Sequence, residues 1–192
     1  MSCKSTPKAS FGCVPDHPQH FTVLLVMYTQ RLRSRLQDLS PSKRWAIGAA
    51  IFQEPEPEKR TILLLKRAER ETAFPNAWEL PGGRVEETDE TIAHAVKREV
   101  FEETSLNVAN IIGEVEPMYW ESKTQSNVQL NYVVTVQPGG TVKPNPEEHS
   151  DWRWVKLEEL NSLYMTPAMK KVVRDAFRFT VGSSWLPVEL PD

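Results

Sequence analysis

Cysteine is almost missing from this chain: Cys3 and Cys13 are the only two, and both fall within the first thirteen residues. They leave no metal-type spacing and too few thiols for a disulfide framework. Long apolar runs are missing as well. The longest, residues 21–28, is far short of the ~20 residues that a membrane-spanning helix needs. The residues before it, with Pro15, Asp16, His17 and Pro18, lack the pattern of a secretory leader. The expected location is therefore cytoplasmic, with no membrane partner. An excess of basic charge is absent too: 23 Lys and Arg against 26 Asp and Glu give a net charge of −3. That balance argues against a protein devoted to nucleic-acid backbones. No internal repeat or low-complexity tract divides the 192 residues, and a 40% hydrophobic share provides for one domain with a sizeable core.

Glycine is scarce, with 8 residues in all, so the pair Gly82-Gly83 after Pro81 is informative. It marks a turn whose backbone can approach a phosphate closely, with Gly83 and Arg84 as the substrate-facing residues. Residues 90–104 then run without Gly or Pro, enough for about four turns of helix. Thr88 and Asp89 can cap this helix, and Glu90 adds favourable charge to its first turn. At 100° per residue, Ile92, Ala95, Val96 and Val100 form one apolar face, and Glu99 and Glu103 project from its middle. Glu102 lies at the edge. A solvated helix would put these acids on the far side. Two carboxylates about 6 Å apart repel by about 3 kcal/mol at an effective dielectric of about 20. A hard divalent cation relieves that repulsion, so Mg²⁺ is expected here, with Mn²⁺ as a substitute.

The rest of the chain supplies a frame. Residues 1–43 form an N-terminal extension: a polar tail to residue 20, a strand or helix start over 21–27, and a basic amphipathic helix over 30–39. That helix would pack Leu32, Leu36 and Leu39 and expose Arg31, Arg33 and Arg35. Residues 44–180 form the main domain, and 181–192 a tail. Strands are expected at 45–52, 61–66, 108–116, 118–121, 128–136 and 152–155, with a charged loop at 54–59. A last helix runs from Thr166-Pro167 to Phe179, with Met169, Val172, Val173, Ala176 and Phe177 as its packing stripe. Strands separated and followed by single helices imply an α/β fold with a mixed sheet covered on both faces. Arg67, at a strand end, can contact phosphate or pair with acids. Among Tyr119, Trp120, Trp152 and Trp154, at least two are ordinary core, and Trp120 is the aromatic placed to stack on a base or line an apolar pocket. His149, alone in a loop, reads as structural or exposed.

From Glu90 through Arg98-Glu99-Val100, Glu102-Glu103 and Leu106, the residues resemble the Nudix box, G-x5-E-x7-R-E-U-x-E-E-x-G-U, where U is a bulky aliphatic residue. Trp78-Glu79-Leu80-Pro81-Gly82-Gly83 is similar to the usual approach to that box. Two positions depart: six residues separate Gly83 from Glu90, and Ser105 stands in place of the last glycine. The resemblance implies an α/β/α sandwich that hydrolyses a diphosphate linked to another group. It implies metal ligands at Glu99, Glu102, Glu103 and the Gly82 carbonyl, with Arg98 orienting Glu99 and Glu90 buttressing the loop. A further acid from a later loop would serve as ligand or base; Glu148 is the first candidate and Glu147 the second. The expected partner is a small-molecule diphosphate, with a second copy of the chain as the protein partner considered. Three readings compete: hydrolysis of a nucleoside diphosphate derivative, hydrolysis of an isoprenoid diphosphate, and a catalytically silent binding module. Keeping three mutually repelling carboxylates favours an enzyme.

Overall fold

The computed structural model describes residues 30–53, 59–122 and 124–179. The tail expected over 1–20, the segment 21–27, most of the charged loop 54–59 and the tail 181–192 lie outside these residues. The described elements are β1 (Lys43–Gln53), β2 (Thr61–Arg67), β3 (Trp78–Glu79), α1 (Ile92–Thr104), β4 (Val108–Glu121), β5 (Ser126–Val136), β6 (His149–Val155) and α2 (Pro167–Arg178). Short 3₁₀ turns occupy Leu36–Asp38 and Leu157–Ser162. No helix among the described residues is long and apolar enough to cross a membrane.

The strands form one sheet in the order β3-β2-β1-β5-β4, with β6 on β2 as well. β1 and β5 run parallel in unbroken register from Lys43↔Ser126 to Ile51↔Val134, and the other pairs are antiparallel. The sheet is mixed, as expected. Alternation along the central strands sends Ile47, Ala49, Ile51, Leu130 and Tyr132 to one core, and Ala50 and Val133 to the other. The α1 stripe of Ile92, Ala95, Val96 and Val100 closes the first core. The α2 stripe of Met169, Val172, Val173 and Ala176 closes the second. Both faces are covered, and the middles of β1 and β2 are accordingly apolar, whereas β5 also carries Asn127, Gln129 and Asn131. The result is the α/β/α sandwich.

One irregularity positions the site. β1 and β2 pair only at Phe52↔Ile62 and Gln53↔Thr61, then part. Residues 81–85 run into the gap along β1: Ala49 N–H donates to the Pro81 carbonyl (2.8 Å), Ile47 N–H to Gly83 (2.8 Å), and Val85 N–H to Trp45 (3.0 Å). The glycine turn is thereby held as a strand-like edge in front of α1. The opposite edge of β2 pairs with β6, which sets His149 beside Arg67.

Two elements differ from the sequence reading. The helix expected over 30–39 ends at Leu32. The Ser34 carbonyl instead accepts the Ile92 N–H at the start of α1 (2.9 Å), and Asp38 accepts the Arg35 N–H (3.0 Å). These bonds compete with helix continuation. Leu32, Leu36 and Leu39 still pack against the α1-side core. The strands expected at 108–116 and 118–121 are one strand, β4, in which a register shift between Val115 and Met118 accommodates Pro117. Proline is tolerated there because β4 is an edge strand and the bulge removes the need for its missing N–H.

Candidate active site

The N-cap of α1 is Thr91, whose hydroxyl accepts the His94 N–H (3.1 Å); neither Thr88 nor Asp89 serves. Asp89 has a different task. Its side chain is fully buried and accepts Arg98 Nε (2.9 Å), Arg98 Nη2 (2.8 Å) and the Glu86 N–H (2.8 Å). Arg98 Nη1 donates to Glu99 Oε1 (2.9 Å) and Glu102 Oε2 (3.0 Å), and Nη2 also reaches the Arg84 carbonyl (2.9 Å). All five guanidinium donors are used. Burial alone would raise the Asp89 pKa, but the Arg98 bonds and the Glu86 amide outweigh it and hold the carboxyl below its ordinary range. The Asp89 bonds in turn push Arg98 above its own range, against the opposing effect of burial.

Glu90, expected as the buttress, is exposed, and its N–H donates to His94 Nδ1 (3.3 Å). The acid that faces Arg98 is Asp89, which stands five intervening residues after Gly83. The extra box residue is absorbed by the Glu86–Asp89 turn, where the Asp89 N–H donates to the Glu86 carbonyl (3.1 Å). Deleting Glu87 brings Glu90 to the five-residue spacing, and Mg²⁺ affinity should stay within about tenfold, or about 1.4 kcal/mol. Titration calorimetry on the deletion variant checks this. Loss of binding in a folded variant would show that the longer turn shapes the site.

The two glycines are fitted to the carboxylates. A Cβ on Gly83 would lie 2.7 Å from Glu99 Oε2, so any side chain there would force that carboxylate to shift. Gly82 has φ +150°, and a Cβ there would lie 2.2 Å from the Ile47 carbonyl oxygen. Its N–H donates to Glu103 Oε2 (2.7 Å). Burial pushes Glu99 up to about 7 against the pull of Arg98, with Glu102 and Glu148 adding to the rise. Burial also raises Glu103 well above its ordinary value; the Gly82 amide opposes this, and Glu79, Glu99 and Glu148 add to it. Glu102 is half exposed. A cluster that resists negative charge alone yet consists of oxygen donors fits a hard divalent cation.

The later loop closes the cluster. At the end of α1, the Glu103 and Thr104 carbonyls accept the N–H groups of Asn145 (3.2 Å) and Lys143 (2.8 Å). Ser105 follows with φ 60°, the left-handed position where the box has glycine. Asn145 Nδ2 donates to Glu148 Oε1 (3.2 Å), and donor atoms of Glu103, Glu148 and His149 lie within 4.8 Å of one another. Glu147 turns away to pair with Arg70 (2.8 Å).

The remaining expected residues lie further off or are otherwise engaged. Arg67 is bonded to Glu71 (2.7 Å), Glu79 (2.7 Å) and the Ala73 carbonyl (2.8 Å). Arg84 is exposed beside the turn. Trp120 is exposed on the edge strand β4, opposite Asn127 of β5 and so two strands removed from β1. Trp152 and Trp154 pack against the core. Sequence reasoning missed Asp89, Glu79 and the burial of His149. Leaving the box's five residues between Gly83 and the next acid would have found Asp89; the other two depend on the pairing of β2 with β3 and β6.

Residues 42–176 match the family model described as the NUDIX domain. The chain is 31% identical over 128 residues to the m7GpppN-mRNA hydrolase NUDT17 of Danio rerio, a stretch of 58% of this chain and 42% of that protein. It is 30% identical over 121 residues to the nucleoside triphosphatase NudI of Escherichia coli O139:H28, covering 58% of this chain and 84% of that one. Its fold is similar to that of the MutT protein from Methanosarcina mazei Go1, with a TM-score of 0.55 and 29% identity over 73% of this chain and 96% of that one. The chain thus spans less than half the length of the Danio rerio protein.

Proposed function

The chain belongs to the Nudix family, and from that premise we propose that it is a divalent-cation-dependent hydrolase of nucleoside diphosphate derivatives. The observation that carries this reading is the burial of Glu99 and Glu103 on the apolar face of α1, with Glu148 brought to them from the far loop. Mg²⁺, or Mn²⁺ in its place, held by Glu99, Glu102, Glu103 and the Gly82 carbonyl would neutralise the charge on the bridging phosphates. Arg98 fixes Glu99 and Glu102 in place and is itself fixed by Asp89. Glu148, exposed and tethered through Asn145, takes the proton of the attacking water. Gly83 and Arg84 line the approach of the phosphates, and Arg67 acts from behind as a brace on Glu79.

The choice of a nucleotide over an isoprenoid rests on the sheet face opposite α1. Gly48, Asn127, Gln129, Asn131 and Trp120 share that face by strand alternation and register. Asn131 is fully buried, accepts from Gln129 Nε2 (2.8 Å) and donates to the Glu116 carbonyl (3.1 Å). A Cβ at Gly48 would lie 2.6 Å from each of these two amides. The groups on this face that solvent still reaches, half-buried Gln129 and exposed Trp120, offer an amide and a stacking surface that an isoprenoid chain cannot use as hydrogen-bond partners. A base can stack on Trp120 and bond to amides. The curated relatives are both named for nucleotide substrates. Release of phosphate or nucleotide products from nucleoside triphosphates, capped dinucleotides and prenyl diphosphates, with and without Mg²⁺, tests the proposal. Trp120→Ala should raise KM more than it lowers kcat, the mark of lost ground-state binding. Prenyl diphosphates turned over about a hundredfold more efficiently than any nucleotide, about 2.8 kcal/mol in transition-state binding, would overturn it.

A further inference from the structure

We infer that Gln129 reads the base: Asn131 holds its side-chain amide with the carbonyl oxygen turned outward, so that bases carrying an exocyclic amine are preferred over their oxo counterparts. The inference rests on the nucleotide reading above and deepens it. Gln129 is half-buried in the middle of β5, and Asn131, two residues on, is fully buried on the same face. Gln129 Nε2 donates to Asn131 Oδ1 (2.8 Å). Asn131 Nδ2 donates to the Glu116 carbonyl (3.1 Å) and to the Gln129 carbonyl (3.3 Å).

These bonds leave one arrangement of the two amides. Both Asn131 protons are spent on main-chain carbonyls, so its amide cannot turn over without setting oxygen against oxygen. Its Oδ1 therefore faces Gln129 and must be met by a donor, which fixes Nε2 of Gln129 inward. Oε1 is left outward, and among the described residues nothing donates to it. A side chain that solvent reaches is thus held by a buried partner as an oriented hydrogen-bond acceptor. It also stands beside the approach of the phosphates. A Cβ at Gly48 would lie 2.6 Å from both atoms of the Gln129–Asn131 bond, and a Cβ on Gly82 would lie 2.8 Å from Gly48 Cα. Ala46 pairs with Gln129 on one side and Arg84 on the other, so a ligand reaching from Arg84 to Gln129 spans two strand spacings, about 10 Å. The exocyclic amine of adenine or cytosine donates to Oε1. The oxo group of hypoxanthine or uracil at the same position sets acceptor against acceptor.

The test compares kcat/KM, with Mg²⁺ present, within two matched pairs, ATP against ITP and CTP against UTP. In the wild type the amine-bearing member should be favoured about tenfold in at least one pair and disfavoured in neither. Calorimetric affinities of the corresponding monophosphates should differ in the same direction. Gln129→Met removes the acceptor and should bring the ratios close to one, through KM more than kcat. Asn131→Ala keeps Gln129 but frees its amide to turn over, and it should lower the ratios as well; a role in packing alone would leave them unchanged. Wild-type ratios within about twofold of one in both pairs, preference for an oxo base, or ratios that survive Gln129→Met would overturn the role of Gln129 and leave the nucleotide reading standing. The wild-type comparison decides even if neither variant folds. Prenyl diphosphates hydrolysed in place of all four nucleotides would overturn the nucleotide reading and this inference with it.

Discussion

Glu103→Gln is expected to cut turnover by more than about a hundredfold, since even the loss of an outer partner of a metal site costs about 10- to 100-fold. The same change should stabilise the metal-free protein at neutral pH. Glu103 is 4% exposed, and burial raises its pKa well above the ordinary 4.5. A group whose folded pKa is raised stabilises the fold only while it is protonated. Its contribution is complete below about pH 4.5 and is lost as the pH rises through the folded value. Glutamine imitates the protonated acid and keeps an oxygen for the Gly82 amide. Its gain, about 1–3 kcal/mol from relieved repulsion, should therefore appear at pH 7–8 and vanish near pH 4. At about 2–4 °C per kcal/mol, the thermal midpoint measured in chelator resolves it. Wild-type activity in the variant, or a lower midpoint at pH 8, would remove Glu103 from the site.

Arg98→Met should produce the largest loss of stability, about 3–5 kcal/mol, because it leaves the Asp89 carboxylate buried without its charge partner. The pH dependence has the opposite sign to that of Glu103. Asp89 is held below its ordinary pKa, so the stability it confers is present above about pH 4 and is lost as the pH falls through the folded value. The gap between wild type and Arg98→Met should narrow in acid. Asp89→Asn combined with Arg98→Met should cost clearly less than the sum of the two, by about 0.5–3 kcal/mol, as contacting partners do. Denaturant unfolding of the four proteins measures this cycle. Strict additivity would mean that the two side chains do not support each other.

What could be read from the chain was what is local. The placement of Glu99 and Glu103 on an apolar helix face depends only on 100° steps, and both are buried there. Ser105, which stands in place of the last glycine of the box, takes a left-handed conformation at the end of that helix. Asp89 was hidden because a one-residue difference in loop length is settled by the Glu86–Asp89 turn and not by the helix. The segment 30–39 has a helical pattern, but the Ile92 amide takes the Ser34 carbonyl and the helix stops short. Arg67, Glu79 and His149 come together only because β2 pairs with β3 on one edge and β6 on the other, and no short-range pattern encodes that. Glu148 was separable from Glu147 only once Asn145 fixed the turn between them.

The Ser34 carbonyl and the buried Leu32 lie ahead of residue 42, where the match to the family begins. A chain trimmed to that boundary would keep each carboxylate discussed above. It would nevertheless open a hole in the α1-side core and strip the acceptor from the first amide of the helix that carries the carboxylates. Kinship and folding thus draw the limits of this unit in different places: ancestry is recognisable from residue 42 onward, while mechanical support for the chemistry begins some ten residues earlier.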